Sequence, residues 1–216
     1  MEQNKSVNFW KGVNLAGTAI MINLAFLICC IPVVTIGPAT CALYSAIRYV
    51  VQGNGWFNGF WNGLKKNFIR NALVGSVLLI MIADMAVNFN TALGFYLEGN
   101  GYVPLLIYTV GLLPLLMVFS AVWPLHVFIP YESGMDWVKD TFRLLVKAPL
   151  QLLIVSALMV LPVALVLYIP EIGFMMVIVF FGIYYALTAF AAILLLKRPL
   201  EDRLGAYRAS HPQEEE

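Results

Sequence analysis

"CCIPVVTIGPATCALYSAIRYVV", residues 29–51, sets two prolines and a glycine inside an apolar run that meets its first charge at Arg48. Ile-Pro and Gly-Pro usually turn a chain at a polar surface. No charged residue accompanies this turn. Whether the segment leaves a membrane, turns inside it or recrosses it decides the topology of the whole chain.

The surrounding composition identifies lipid as the solvent. The chain has 216 residues, 61% hydrophobic and only 12% charged, where a water-soluble domain carries about a quarter charged residues. Five stretches hold the apolar excess: 13–34, 71–97, 102–131, 148–170 and 172–196. Each exceeds the roughly 20 residues that an α-helix needs to cross hydrocarbon. Four lack Asp, Glu, Lys and Arg, and the other has only Asp84. Strand-like alternation is absent, which predicts a helical bundle rather than a membrane barrel. The first stretch is too long for a cleavable signal and ends in no small-x-small site, so it is expected to remain as a helix. Cys29, Cys30 and Cys41 have no His or carboxylate at ligand spacing and read as small hydrophobes, not metal ligands. A net charge of +1 gives no sign of a nucleic-acid partner.

Cations set the orientation. They fall into four clusters: Lys5 and Lys11; Arg48, Lys65, Lys66 and Arg70; Lys139, Arg143 and Lys147; Lys197, Arg198, Arg203 and Arg208. The connections "EGNG" (98–101) and "PEIG" (170–173) contain none. Short cytoplasmic loops collect Lys and Arg, so both cation-free turns are expected outside. If residues 38–52 return through the membrane, every cation lies inside. The expected fold class is therefore all-α: a polytopic helical membrane bundle of about six transmembrane helices, one short, with both termini cytoplasmic in a bacterial cell membrane.

The returning helix is the short one. Thr35 or Gly37 serves as its N-cap and Pro38 takes the first helical position, where its missing N–H is no loss. Residues 38–52 reach only about 22 Å at about 1.5 Å each, against a core of roughly 30 Å. The "IPVVTIG" link is thus expected just below the outer headgroups, with other helices or a wet cavity around it.

Two segments read as amphipathic helices on the cytoplasmic interface. In "WFNGFWNGLKKNFIRN" (56–71), Trp56, Phe57, Phe60, Trp61, Leu64 and Phe68 share one face, away from Asn58, Asn62, Lys65 and Lys66. In "GMDWVKDTFRLLVK" (134–147), the stripe of Trp137, Thr141, Leu144, Leu145 and Ala148 opposes Asp136, Lys139, Asp140, Arg143 and Lys147. Their apolar faces are expected on lipid and their cations near headgroups. Pro104, Pro114, Pro124, Pro130 and Pro162 each free a carbonyl one turn back, for neighbouring groups to satisfy or for a broken helix to present to a substrate. Residues 1–207 read as one integral membrane domain and 208–216 as a disordered, charged cytoplasmic tail.

Asp84 is the one acid inside a span, with Asn88 a turn further on the same face. A charge at mid-membrane costs at least about 2.5–3.5 kcal/mol, so the carboxyl must be protonated, paired or wet. It is either a proton, cation or polar-substrate site, or a group hydrogen-bonded across helices to Asn14, Thr18 or Asn23. Thr35 and Gly37, at the N-terminus of the short helix, would complete a polar intramembrane site with Asp84, Asn88, Asn23 and Asn14. His126, beside Trp123 and Phe128, reads as a satisfied polar tip. Motifs for nucleotide binding, metal hydrolysis and nucleophilic catalysis are missing. Hence no catalytic, cofactor or metal site is expected, and the chain reads as no enzyme.

The stretch from Ile31-Pro32 through Thr35-Ile36-Gly37-Pro38-Ala39 and Ala42-Leu43-Tyr44 to Lys66-Asn67-Phe68 resembles the YesL family of small bacterial integral membrane proteins. In looser hydrophobic form the resemblance extends over about residues 8–205. It implies a multi-pass protein with no assigned activity, often encoded beside carbohydrate ABC importers and sugar-responsive sensors, and it supplies no site residues. The leading expectation is a non-enzymatic accessory subunit of such an importer or of its sensor. Its partners would be the bilayer and importer permease subunits, docked through Trp137, Lys139 and Arg143 on one amphipathic segment and Trp61 and Lys65 on the other. The alternative is a small transporter or channel in its own right, using Asp84 and the N-terminus of the Pro38 helix.

Overall fold

Among the described residues, helices occupy each of the apolar stretches. The computed structural model describes residues 2–129, 131, 134–169, 171 and 180–210, with no strand among them. The helices are α1 (Glu2–Cys30), α2 (Ile36–Val51) after a 3-10 turn at Val33–Thr35, α3 (Trp56–Lys65), α4 (Phe68–Leu97), α5 (Val103–Phe128), α6 (Gly134–Lys147), α7 (Pro149–Tyr168) and α8 (Tyr185–Ser210), the last preceded by a π turn at Phe180–Tyr184. Among the described residues, four segments are long and apolar enough to cross a membrane: Val33–Val51, Phe68–Leu97, Val103–Phe128 and Gly182–Gly205. A fifth appears if α6 and the start of α7 count as one span, though they bend by 101°. The protein is thus an all-α, membrane-type bundle. Within the tail, α8 runs on to Ser210 and residues 211–216 lie outside the described residues. The expected outer turn at 170–173 is described only at Glu171, which is exposed.

α2 is the centre of the bundle. Every residue from Gly37 to Ile47 is buried, because α1, α3, α4, α5 and α8 pack around it. A helix with no open face lies in a core. Its entry is fixed by two glycines. A Cβ on Gly37 would stand 2.2 Å from the Asn71 carbonyl oxygen, and one on Gly75 would stand 2.8 Å from the Gly37 Cα. Only hydrogen at both positions lets α2 start against the second turn of α4.

This contact corrects the expected depth of the "IPVVTIG" turn. From Gly75 to Leu97, α4 climbs another 33 Å or so, so the turn lies near the first turns of α4, far from the opposite end. Ile31, Val33 and Val34 are exposed there, as lipid permits. The backbone is closed locally: the Thr35 N–H donates to the Pro32 carbonyl at 2.9 Å, and the Thr35 hydroxyl contacts the carbonyls of Cys29 and Pro32.

α3 doubles back along α2. Gly59 faces Tyr49, and Gly63 faces Ser45 and Ala42. Rising numbers on one helix meet falling numbers on the other, so the pair is antiparallel. With Phe60 also buried, this face of α3 packs on protein and not on lipid, a correction to the simple interfacial reading. Phe57 and Trp61 remain exposed. Asn67 then takes the left-handed conformation (φ 52°) and starts α4, a geometry that Asn tolerates better than most residues.

At the far end of α4, Gly99 (φ 83°) and Gly101 (φ 98°) reverse the chain into α5. Proline-freed carbonyls are handled as expected in one clear case. Pro162 leaves the Leu158 carbonyl without its helical donor, and the Tyr184 hydroxyl donates to it at 2.8 Å.

Candidate functional site

Arg48, Lys66, Arg70, Arg143 and Arg203, from three of the cation clusters, lie at one end of the bundle, here called the basic end. Arg48, in the last turn of α2, donates from Nη1 to the Val127 carbonyl at 2.7 Å and lies 5.0 Å from the centre of the Phe128 ring. Arg70, in the first turn of α4, sits between His126 and Trp137: its Nη2 is 3.2 Å from His126 Nδ1, and its guanidinium carbon is 5.5 Å from the Trp137 ring centre. His126 and Trp137 are themselves in ring contact at 5.3 Å. The same Nη2 is 3.5 Å from His126 Nε2, and since a guanidinium only donates, the imidazole is the acceptor. His126 is thus the satisfied polar tip that the sequence suggests.

Beside these groups lies a pocket of about 160 Å³ between α2, α3 and the end of α5. Arg48, Lys66 and His126 give it positive and polar walls, with Ser45, Tyr49 and Asn62 as further hydrogen-bonding groups. Among the described residues no carboxylate lines it. Lys66 is placed by the chain reversal: its carbonyl accepts from Asn71 Nδ2 at 2.9 Å, and its N–H donates to the Asn62 carbonyl at 3.0 Å.

A second cluster fastens α6 beneath the bundle. Asp140 is buried, 2% exposed. It accepts from Tyr131 Oη at 2.9 Å, from Arg143 Nη1 at 3.1 Å and from Arg203 Nη2 at 2.5 Å. Burial, and then the hydrogen bond to Asp140, push the Tyr131 phenol well above the ordinary tyrosine range. Asp140 does not belong to a solvated stripe, as its spacing suggests; it is the anion that ties α6 to α8.

The residues predicted for an intramembrane polar site do not gather. Asp84 is exposed on α4. Its backbone carbonyl accepts from Asn88 Nδ2 at 2.9 Å, while no hydrogen bond from another described helix reaches its carboxylate. Asn23 is fully buried elsewhere: its Oδ1 accepts from the N–H groups of Tyr185 and Ala186 at 2.9 and 3.2 Å. These donors lie where the π turn passes into α8, a change of register that leaves N–H groups in need of partners. Asn14 is exposed. Gly37 is packed against α4 and Trp123 and Pro38 is buried beside it, so the N-terminus of α2 is closed by protein. Asp84 stands nine residues beyond Gly75 on α4, about 14 Å along the axis.

The docking residues divide. Trp137 is 4% exposed and its Nε1 donates to the Val122 carbonyl at 3.3 Å; it is core, together with Thr141 and Leu144. Met135, Val138, Phe142 and Val146 are the exposed apolar residues of α6. Lys139 and Arg143 are exposed, and Lys65 lies 4.8 Å over the exposed Trp61 ring. The sequence reading missed the small-residue contacts. Gly59 and Gly63, one turn apart in "NGFWNG", were the available signal for close helix packing.

Residues 19–89 match the family described as "Protein of unknown function, DUF624". The matched segment runs from α1 into α4, and includes both the Gly37–Gly75 contact and the α2–α3 side of the pocket. No curated protein and no solved structure matches the chain.

Proposed function

We propose that this protein is a non-enzymatic membrane subunit that works in complex with another membrane protein, of the carbohydrate ABC importer class or its sensor. One observation carries the dependence on a partner. Asp84, Asn88 and Thr91 recur at helical spacing on one side of α4, and each side-chain donor there turns back to its own helix, Asn88 to the Asp84 carbonyl and Thr91 to the Val87 carbonyl. An acid and an amide at this depth are costly against lipid. The chain has no Lys or Arg in its apolar stretches, so in this reading a partner protein supplies the group that pairs with Asp84. The importer class rests on the YesL resemblance. We read the basic end as cytoplasmic, in a bacterial cell membrane, by the cation rule.

The test is purification in mild detergent from cells expressing a carbohydrate importer. Permease subunits at stoichiometric yield with the wild type, and at several-fold lower yield with Asp84→Leu, support the reading. Isolation of the chain alone, whatever residue 84 is, refutes it. Nothing favours a self-contained transport site, since the residues suggested for it lie apart.

A further inference from the structure

We propose that the pocket at the basic end binds a phosphate group, delivered either by an anionic lipid headgroup or as free phosphate. The inference is independent of any importer partner. Its basis is a formed cavity with cationic walls and no carboxylate among its described lining residues. Arg48 lines the pocket from α2 and Lys66 from the turn after α3, and His126 closes it from α5. Arg70 backs His126, and its buried Nε has no hydrogen-bond partner. Neither Lys66 nor Arg70 forms an ion pair among the described residues, whereas the nearby acid Asp140 is engaged by Arg143 and Arg203.

The lining matches the chemistry of a phosphate. A free phosphate brings about −1.5 to −2 charges and at least three acceptor oxygens, and a lipid phosphodiester brings a single negative charge. Arginine offers a flat pair of donors and lysine a mobile point charge. Ser45, Tyr49 and Asn62 add neutral hydrogen-bonding groups. Arg48 is held in place by Val127 and Phe128, so its ordering precedes binding. The cavity, about 160 Å³, has room for a phosphate group. On the same helix Lys65 lies over the exposed Trp61 ring, an aromatic–basic pair of the kind found at headgroup level.

Native mass spectrometry of the full chain, released from nanodiscs, tests this. Nanodiscs of phosphatidylglycerol with phosphatidylcholine form one arm, and pure phosphatidylcholine with added inorganic phosphate forms the other. Retention of one phosphatidylglycerol, weakened at least fivefold by Lys66→Gln and unchanged by Lys139→Gln, establishes the lipid source. Phosphate adducts or phosphate-dependent thermal stabilisation with the same response to Lys66→Gln establish the free anion. Asn62→Ala, at an exposed position, supplies a second variant should Lys66→Gln fold poorly. No preference for phosphatidylglycerol and no phosphate effect, or binding indifferent to both variants, overturns the proposal.

Discussion

Arg203 Nη2 lies 2.5 Å from both carboxylate oxygens of Asp140, joining α8 to α6 across 63 positions of the chain. The contact explains how α6 can run at 101° to the start of α7 without detaching. Trp137 and Leu144 bury one side of α6, and the ion pair fixes the edge beside it. Arg143 also reaches Asp140, but it is largely exposed and adds little.

Removing the buried anion is predicted to be more damaging than removing the whole pair. Asp140→Ala strands Arg203 beneath the bundle, and should lower stability by about 3 kcal/mol. The double replacement Asp140→Leu with Arg203→Leu should lose clearly less than the sum of the singles. Thermal unfolding in detergent, followed for all three variants, measures the coupling.

Tyr131 gives the same latch a pH dependence. Its folded-state phenol is raised above the unfolded value by burial and by the bond to Asp140. Its contribution is therefore complete below about pH 10, and is lost as pH rises through the folded value. Tyr131→Phe should cost about 1 kcal/mol near neutrality. The gap between wild type and variant should narrow only in strong alkali; a gap already closing at pH 8 contradicts this assignment.

The glycine contact between α2 and α4 should tolerate no side chain. Gly75→Val drives a branched group into the Gly37 backbone, with an expected cost of about 3 kcal/mol. Gly17 has open space around it, so Gly17→Ala should be neutral or stabilising by up to about 1 kcal/mol. Melting temperatures of the two variants, compared side by side, check the difference.

Tyr184 and Pro162 should behave as one unit. Tyr184→Phe leaves the Leu158 carbonyl short of a donor, at about 1 kcal/mol. In the Pro162→Ala background the restored backbone N–H serves that carbonyl, and the same hydroxyl deletion should cost less than half as much. Equal costs in both backgrounds contradict the pairing.

How much of this was legible in the sequence depends on the physics of each feature. Hydrophobic length and the absence of charge identify the helices, because lipid leaves a chain few alternatives. Cation clustering anticipated that Arg48, Arg70, Arg143 and Arg203 would share one end. Three things needed tertiary contacts. The depth of the turn after Cys30 depends on Gly37 meeting Gly75, a contact between residues in separate helices. The facing of α6 was misread because it has apolar residues on two sides: Trp137 and Leu144 face protein, while Phe142 and Val146 face outward. The pocket draws Arg48, Lys66 and His126 from three segments that no local pattern connects.

The depth of the α1–α2 turn is the claim on which the arrangement of α2, α3 and the pocket depends. Spin labels at Val33→Cys and Asn100→Cys, in a background without native cysteines and in nanodiscs, measure it by pulsed dipolar spectroscopy. The account predicts a separation of more than about 20 Å, with the Val33 label reached by oxygen rather than by aqueous nickel. A separation of about 10 Å or less, with both labels open to water on the same side, contradicts it.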